Sequence, residues 1–360
     1  MILNKIWERY FIKECLKLFF LVLFGFYGLY VLIDYASRIH GSHHFSTHQF
    51  EIIRYYTLVF ILRSDILIPF ALLVATIRTL VHLNVHHELI ALLASGVKLK
   101  TLMRPFVCLG LFFMLLIYLN NEFLLPYSIK SIAHMEDTYF DQSSKRDSSP
   151  SLYNVILEDG SAILYQKFNS AKQVFENAWW IKSADEIYRM KNLAPYSEVP
   201  EGAFVDYLKR NSANQLVVRN SMPVHQFSEM HFNTQALAET LTPPQAQRLS
   251  VLWKKLPWNQ LELTTKQADI SATFFRKIAA PWLCLLAIFA PAPFCLRFTR
   301  QLPVFFIFLW GIFGMVMLYL ALNAAAILGK NQIIPPFWVI CAPFFGLFAF
   351  FAWKYAKQVR

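Results

Sequence analysis

Long stretches without a charged residue are the strongest constraint on the fold of this chain. Five such runs occur, at 18–33, 105–121, 278–296, 301–329 and 331–353. A helix needs about 20 mainly apolar residues to cross a bilayer, and three of the runs have that length. The chain is 56% hydrophobic and only 16% charged, whereas a soluble domain is roughly one-quarter charged. These features predict a polytopic α-helical membrane protein and exclude a soluble enzyme.

Six membrane spans are predicted, at about 16–36, 56–80, 103–125, 278–297, 303–328 and 333–353. The second span contains Arg63 and Asp65, and charge bias is the reason for including it. With both termini in the cytoplasm, six spans place thirteen lysines and arginines in cytoplasmic segments, whereas the short outer loops hold three, Arg38, Arg54 and Lys330. Without the second span, the basic segment 78–104 would lie outside, against the positive-inside rule.

The segment between the two groups of spans is predicted to be a separate domain. The boundaries are an N-terminal membrane half at 1–126, a soluble domain at 127–277 and a C-terminal membrane half at 278–360. Segment 127–277 has 17 basic and 16 acidic residues, so nearly all of the net charge of +11 belongs to the membrane halves. That distribution is typical of membrane topology and lipid contact rather than of nucleic-acid binding.

The early part of this segment has the pattern of β-strands. YNVIL (153–157) and SAILYQK (161–167) alternate around the turn pair Asp159-Gly160, which predicts a hairpin. Further short β-like runs follow at 172–182, 202–209 and 214–220. We therefore expect an antiparallel sandwich or a jellyroll-like roll, outside the cytoplasm. After Pro243-Pro244 the sequence favours a helix that returns to the membrane.

Motifs for catalysis or metal binding are few. No GxxxxGK[ST] phosphate loop occurs, so an ATP-driven process would need a partner subunit. The sequence HHE at 86–88 resembles the start of a zincin motif, but Ala91 stands where the second histidine would be. Four histidines in the first outer loop leave metal binding open beside a solvated loop; they are His40, His43, His44 and His48. The expectation is a protein without metal, cofactor or catalytic residues.

Segment 81–100 predicts a short amphipathic helix on the cytoplasmic side, at about 84–96. Leu89, Leu92 and Leu93 recur at helical spacing, Glu88 lies at the polar edge, and Ser95-Gly96 favours a helix end. Such a helix either lies in the membrane interface or fits a groove of a cytosolic motor. In the second interpretation Glu88 pairs with a basic residue of that motor, and Leu89, Leu92, Ser95 and Gly96 complete the contact.

Two further groups of residues are candidates for contact with a lipid. Asp34, Arg38, Arg63 and Asp65 lie at the outer ends of the first two spans, where they either pair and snorkel or line a cavity that binds a phosphate head group. Small or polar residues in the first and fifth spans allow close helix approach, either for packing alone or for a lateral gate; they are Gly25, Gly28, Gly311, Gly314 and Asn323.

Three segments carry a family resemblance. ERYFIKE (8–14) before the first span, HELIALLASG (87–96) after the second and FFRKIAAP (274–281) at the fourth resemble the LptF/LptG permease family, also called YjgP/YjgQ. The resemblance covers the whole chain in plan, as three spans, a β domain and three spans. It implies the permease subunit of an ABC system that extracts lipopolysaccharide from the inner membrane of Gram-negative bacteria.

The resemblance also implies partners and residue roles. LptF pairs with LptG, an LptB ATPase dimer drives them, and LptC and LptA are the periplasmic jellyroll partners. Glu88 falls on the acidic residue of the coupling helix, and Asp34 on an acidic position of the first LptG span, which favours LptG over LptF. Two departures weaken this match, because Val31 stands where LptG has a basic residue and Arg63 is one position out of register with Pro69.

The sequence-based hypothesis is therefore a multi-pass inner-membrane subunit for lipopolysaccharide export that lacks an ATPase motif. Its first and fifth spans would border a lateral opening, and its β domain would receive the lipid. Two alternative functions are consistent with the sequence. One is an envelope scaffold that moves nothing, and the other is an ion-coupled secondary transporter of lipid.

Overall fold

A computed structural model gives the fold of this chain. It describes residues 5–39, 49–139, 153–157, 159–169, 174–183, 185–195, 199–211, 215–230, 243–257, 264–296 and 304–359. The chain divides into two compact units. The membrane unit comprises Met1–Met135 and Pro244–Arg360, and the β unit comprises Glu136–Pro243. The domain limits 127–277 follow the ends of the predicted spans and stay a prediction.

The described part of the first half of the membrane unit contains four long helices and one short helix. They are α1 (Ile6–Ile39), α2 (Gln49–Val85), α3 (Glu88–Ala94), α4 (Leu99–Leu119) and α5 (Leu125–Tyr139), with a π-helical turn at Asn120–Leu124 between the last two. The sequence from Leu99 to Glu136 forms one continuous apolar span that contains the π-helical turn. A π-helical turn is a local bulge that inserts an extra residue into a helix.

The second half contains shorter helices before its two final spans. They are a 3₁₀ turn at Pro244–Ala246, α6 (Leu249–Lys254), α7 (Thr265–Ala279), a 3₁₀ turn at Ala280–Trp282, α8 (Leu283–Phe289), α9 (Ala292–Cys295), α10 (Val304–Lys330) and α11 (Pro336–Val359). The fourth span is broken because Pro281 has no backbone N–H and cannot continue the α-helical hydrogen-bond pattern. A capping box at Thr264 and Gln267 begins α7.

The prediction of six spans is confirmed. Within the described residues, six helical stretches are long and apolar enough to cross a membrane. They are Ile6–Ser37, Phe50–Val85, Leu99–Glu136, Gln267–Cys295, Val304–Lys330 and Pro336–Lys357. In its most apolar window the fourth span has 72% of its residues buried, whereas the fifth has 6%. The fourth span therefore lies inside the helix packing, and the fifth span presents most of its surface outward.

The β unit is an antiparallel sheet of six described strands in sequence order. They are β1 (Tyr153–Ile156), β2 (Ala162–Asn169), β3 (Val174–Ser183), β4 (Glu186–Ala194), β5 (Glu201–Arg210) and β6 (Leu216–Gln226). The predicted hairpin is present as β1 and β2, with Val155 opposite Ile163. β4 was not predicted, because Glu186, Arg189 and Lys191 interrupt its apolar pattern.

A β domain inserted between the membrane helices is confirmed, and its described strands form a meander. A sandwich needs two sheets and a jellyroll needs Greek-key crossovers, and the described strands have neither. Buried side chains from β2 to β5 pack into one core, which Trp180 and Phe175 dominate together with Phe227 after β6. Trp180 donates its indole N–H to Ser161 Oγ at 2.9 Å, which satisfies the polar atom of this buried ring.

Candidate functional site

The short helix α3 between the second and third spans is fixed at both ends. At its start His87 has φ 58°, a left-handed conformation that separates α3 from α2. Asn84, at the end of α2, is buried and donates its side-chain amide to the carbonyl oxygen of Cys295 at 2.8 Å. The segment that enters α3 is therefore attached to the end of α9 in the fourth span.

The C-terminus of α3 has the geometry of a Schellman motif. Gly96 has φ 87°, and its N–H donates to the carbonyl of Leu93 at 3.0 Å, while Val97 N–H donates to the carbonyl of Leu92 at 3.1 Å. Leu92 and Val97 also pack against the same apolar core, which is the hydrophobic contact that accompanies this motif. The Ser95-Gly96 pair therefore ends α3 through a position that favours glycine.

The side chains of α3 divide into an inner and an outer face. Leu89 is buried, and Leu92 and Leu93 are half-buried against the membrane core. Glu88 is half-exposed, and Ile90 is 41% exposed beside the exposed Ala91. The outer face thus offers an apolar surface with one carboxylate at its edge, which is the composition of a helix that docks into a groove with a defined direction.

The charged residues at the outer ends of the first two spans lie at two separate levels. Tyr56 donates its hydroxyl to Asp34 Oδ2 at 3.3 Å, and Tyr27 donates to the backbone carbonyl of Tyr56. Asp65 instead pairs with Arg276 of α7, with 3.4 Å between Oδ2 and Nη2. Tyr56 and Asp65 are nine residues apart on α2, or about 13 Å along a helix, so the structure does not bring the two carboxylates together.

The other two charged residues of this group are Arg63 and Arg38, and the structure describes the side chain of Arg63 only. Arg63 is exposed on α2. Arg38 belongs to α1, but its side chain lies outside the described part of the structure. Arg63 is therefore the cation of this group that is placed to meet a lipid or a partner.

Buried polar residues in the third and fourth spans form a cluster that sequence reasoning missed. Asn120 donates its amide to Ser64 Oγ at 2.8 Å and to the carbonyl of Ile61 at 3.1 Å. Asn121 donates to the carbonyl of Lys277 at 3.5 Å. That carbonyl lies four residues before Pro281, which has no N–H to donate to it. The amide side chains of the π-helical turn thus compensate for the proline in the neighbouring span.

Lys277 attaches the returning segment to the same cluster. Its side chain is only 7% exposed, and its Nζ donates to the carbonyls of Gln245 and Gln247 at 2.9 and 2.7 Å. Glu122 accepts a hydrogen bond from the backbone N–H of Ser250 at 3.1 Å. Together these bonds attach the segment from Pro244 to α6 to the third and fourth spans.

The sequence contains a signal for this cluster, a group of polar residues at the end of an apolar run. Taken alone, that signal indicates only where a span ends. Asn120, Asn121 and Glu122 stand together at the end of an apolar run, and Arg276 and Lys277 precede Pro281 by a few residues. Ionisable residues within a membrane segment are expensive unless they face partners. Their presence beside a helix-breaking proline predicts a buried polar contact, but not its partners.

The fifth-span glycines lie beside an apolar cavity of about 530 Å³. Its lining comes from α10 together with α2, α8, α11 and the segment that joins α8 to α9, and includes Gly311, Gly314, Trp310, Leu73 and Phe351. A Cβ at Gly311 would approach Ile77 Cδ1 to 2.9 Å, so this glycine permits close contact between α10 and α2, whereas Gly314 has open space beside it.

The remaining gate candidates make no helix contact of this kind. A Cβ added at Gly25 or Gly28 of α1 would meet no other atom within 4 Å. Asn323 donates its side-chain amide to the carbonyl of Tyr319, one turn earlier on α10, at 3.1 Å. Of the five candidates, Gly311 and Gly314 are the two that lie at the cavity.

No group of three or more His, Cys, Asp or Glu side chains within the described ranges is arranged to hold a metal ion. The cluster of His40, His43, His44 and His48 lies outside these ranges. His86 and His87, from the zincin-like sequence, are both exposed. The described residues therefore give no support to a metal site at α3.

The comparison with protein families identifies the chain. The family model of the lipopolysaccharide export system permease LptF/LptG matches residues 9–357, which is nearly the entire sequence. The chain belongs to the LptF/LptG family. A comparison with curated proteins gave no match.

Membership of the LptF/LptG family confirms the predicted resemblance. It makes the chain a subunit of a lipopolysaccharide export permease, a transport component rather than an enzyme, and a multi-pass protein of the inner membrane. The α3 segment, the paired charges of α2 and the fifth-span cavity are the features of the membrane unit that bear on a more specific function.

Replacing Lys277 tests whether the buried polar cluster holds the returning segment. We expect Lys277→Met to increase amide hydrogen exchange over 244–256 about tenfold or more, because the carbonyls of Gln245 and Gln247 lose a charged donor, and such a hydrogen bond contributes about 1.5–3 kcal/mol. Hydrogen–deuterium exchange with mass spectrometry on the full chain in detergent measures this. Lys277→Arg restores a donor, and Lys254→Met changes an exposed lysine of α6; equal exchange in all variants would contradict the attachment.

Proposed function

We propose that the chain is the LptG-type half of a paired permease in which a separate ATPase drives lipopolysaccharide extraction. The observation that carries this proposal is the helix α3, which joins the second span to the third. Its outer face is apolar, and the carboxylate of Glu88 lies at the edge of that face. A seven-residue helix is too short to be stable alone. Its fixation by Leu89, by the Asn84 bond that precedes it and by the Schellman motif at its end therefore indicates a surface whose orientation matters. A dimer of an LptB-like ATPase is the proposed partner, and ATP is used there.

The orientation belongs to the same proposal. The termini and α3 lie in the cytoplasm, and the β unit lies in the periplasm. The positive-inside distribution supports this arrangement, since basic residues flank α3 at Arg78, Lys98, Lys100 and Arg104. An ATPase contact and a lipid-receiving domain on opposite sides of the bilayer are what an exporter requires.

Lipid entry is proposed at the first and fifth spans. Both spans have little of their surface buried, 11% and 6% of residues in the most apolar windows, so both are available to a second permease subunit. Gly311 and Gly314 line a cavity beside the fifth span, and apolar walls of this kind favour acyl chains over water. Arg63, which is exposed on α2, is proposed to meet phosphate groups.

Transfer from the β unit is proposed to use LptC-like and LptA-like jellyroll partners. Among the described strands β6 lies at an edge of the sheet, and its exposed residues include Val217, Val218 and Val224. An edge strand with apolar side chains offers unpaired backbone groups for addition of a further strand. A continuous sheet across two proteins would give the lipid an apolar path through water.

Accessibility labelling tests the orientation. Cys15, Cys284, Cys295 and Cys341 are buried and Cys108 is half-buried, so a Cys108→Ala background should react weakly. In that background, a membrane-impermeant maleimide is expected to label Ser221→Cys of β6 from the periplasmic side, and Ala94→Cys of α3 only after the inner membrane is opened. Labelling of both positions from the same side would refute the exporter.

Charge reversal at Glu88 tests the ATPase contact. We expect Glu88→Lys to weaken co-purification of the ATPase at least tenfold, because like charges placed across an interface cost several kcal/mol. Glu88→Asp should retain most of the binding. Glu201→Lys, an exposed position of the β unit, is the control for net charge. Undiminished ATPase binding and lipopolysaccharide release by Glu88→Lys would contradict the docking role of α3.

Filling the fifth-span cavity tests the lipid path. Gly314→Leu is expected to reduce lipopolysaccharide extraction in proteoliposomes several-fold while the melting temperature stays the same, since a side chain at this position enters open space. Gly346→Leu is the matched control, because Gly346 is also in a membrane helix with open space beside it. Normal lipopolysaccharide extraction by Gly314→Leu would show that the lipid does not pass through this cavity.

A further inference from the structure

The N-terminal part of α1 carries three cations on the face that points away from the protein. Phe11, Cys15 and Phe19 are buried and face the helix packing. Arg9, Lys13 and Lys17 are exposed and follow one another at four-residue intervals. Residues spaced by four lie on one face of a helix, so the cations form a stripe over two turns.

The stripe borders a groove on the surface of α1. Arg9, Ile12, Lys13, Leu16, Lys17 and Phe20, all from α1, line this open groove. The groove combines charged ends of basic side chains with apolar side chains, so it suits an amphiphile with a negative charge at one end.

Two acidic residues of α1 stand close to the stripe in sequence. Glu14 Oε2 lies 3.2 Å from Lys17 Nζ, in a pair whose lysine is 61% exposed. Glu8 is buried and accepts the backbone N–H of Lys5 at 3.3 Å, so it faces the protein rather than the groove.

The same exposed face becomes apolar immediately after the cations. Phe20, Leu21 and Phe24 are exposed by 47%, 70% and 65%, and the rings of Phe20 and Phe24 stack with centroids 6.1 Å apart. Lys13 and Phe24 are separated by about 16 Å along the helix axis. This length and polarity match the phosphate and the first part of the acyl chain of a phospholipid.

We propose that this groove binds an anionic phospholipid of the cytoplasmic leaflet. The phosphate contacts Arg9 and Lys13, and an acyl chain lies along Phe20 and Phe24. The inference rests on the proposed orientation, which places the N-terminus in the cytoplasm. The bound lipid is a structural ligand that holds the entry of the first span at the depth of the head groups, and it is separate from the exported lipid.

Lipid retention measures this binding directly. The full chain is reconstituted in nanodiscs of phosphatidylglycerol and phosphatidylcholine, extracted mildly, and analysed by native mass spectrometry. We expect the wild type to retain phosphatidylglycerol preferentially, and Arg9→Gln with Lys13→Gln to lower that retention roughly tenfold, since each basic residue near an anionic lipid contributes strongly to the attraction. Arg9→Lys with Lys13→Arg should retain the lipid.

The control changes two other exposed cations of the proposed cytoplasmic side. Lys98→Gln with Lys100→Gln removes the same charge elsewhere and is expected to leave retention unchanged. An equal loss in both double variants would show diffuse attraction and overturn the site, as would equal retention of phosphatidylcholine. Displacement of the lipid when a second permease subunit binds would assign the groove to a protein interface instead.

Failure of this inference and failure of the proposed function give different results. Reversed labelling of Ala94→Cys and Ser221→Cys would refute the orientation, although a lipid could still bind the groove in symmetric nanodiscs. Normal labelling with no selective retention of phosphatidylglycerol would refute the groove and leave the exporter intact.

Discussion

Where a membrane helix is interrupted, its backbone carbonyls need hydrogen-bond donors from elsewhere. The membrane unit depends on meeting this requirement. In a bilayer, a carbonyl without a donor costs several kcal/mol. Pro281 deprives the carbonyl of Lys277 of its helical donor, and Asn121 supplies one. Tyr118 donates to the next carbonyl, that of Ile278, at 2.8 Å, and receives the indole N–H of Trp282 at 3.0 Å. The third and fourth spans are thus joined by side chains that a proline makes necessary.

The contact between the third and fourth spans belongs to the buried centre of the membrane unit, which other helices surround. The fourth span is mostly buried, and it packs against α2 and α4 through α8. The Asp65–Arg276 pair and the Asn84 bond to Cys295 connect α2 to the same span at two further levels. The first, fifth and sixth spans surround this buried centre and have few buried residues. Movement in a transport cycle is therefore expected in the outer helices, where fewer contacts must break.

The sequence carries some of these features locally and leaves others to the fold. Uncharged runs and basic flanks define the spans, and Ser95-Gly96 marks the end of α3, because helix length and a left-handed glycine depend on neighbouring residues only. The partners of Lys277 and Asp65 could not be predicted, since Gln245 is 32 residues from Lys277, and Arg276 is 211 residues from Asp65. β4 was missed because burial on one face of a sheet tolerates charges on the other.

The attachment of α3 determines where a force on it would enter the membrane. Leu89 is packed in the core, and Asn84 holds the preceding turn to the carbonyl of Cys295, so α3 cannot slide over the surface without moving these groups. A packed interior transmits such a displacement rather than absorbing it. Motion of α3 would therefore reach α2 and the Cys295 end of the fourth span first. The fifth span packs on α2 at Gly311 and Ile77, so the proposed lipid cavity lies one helix away from the connector.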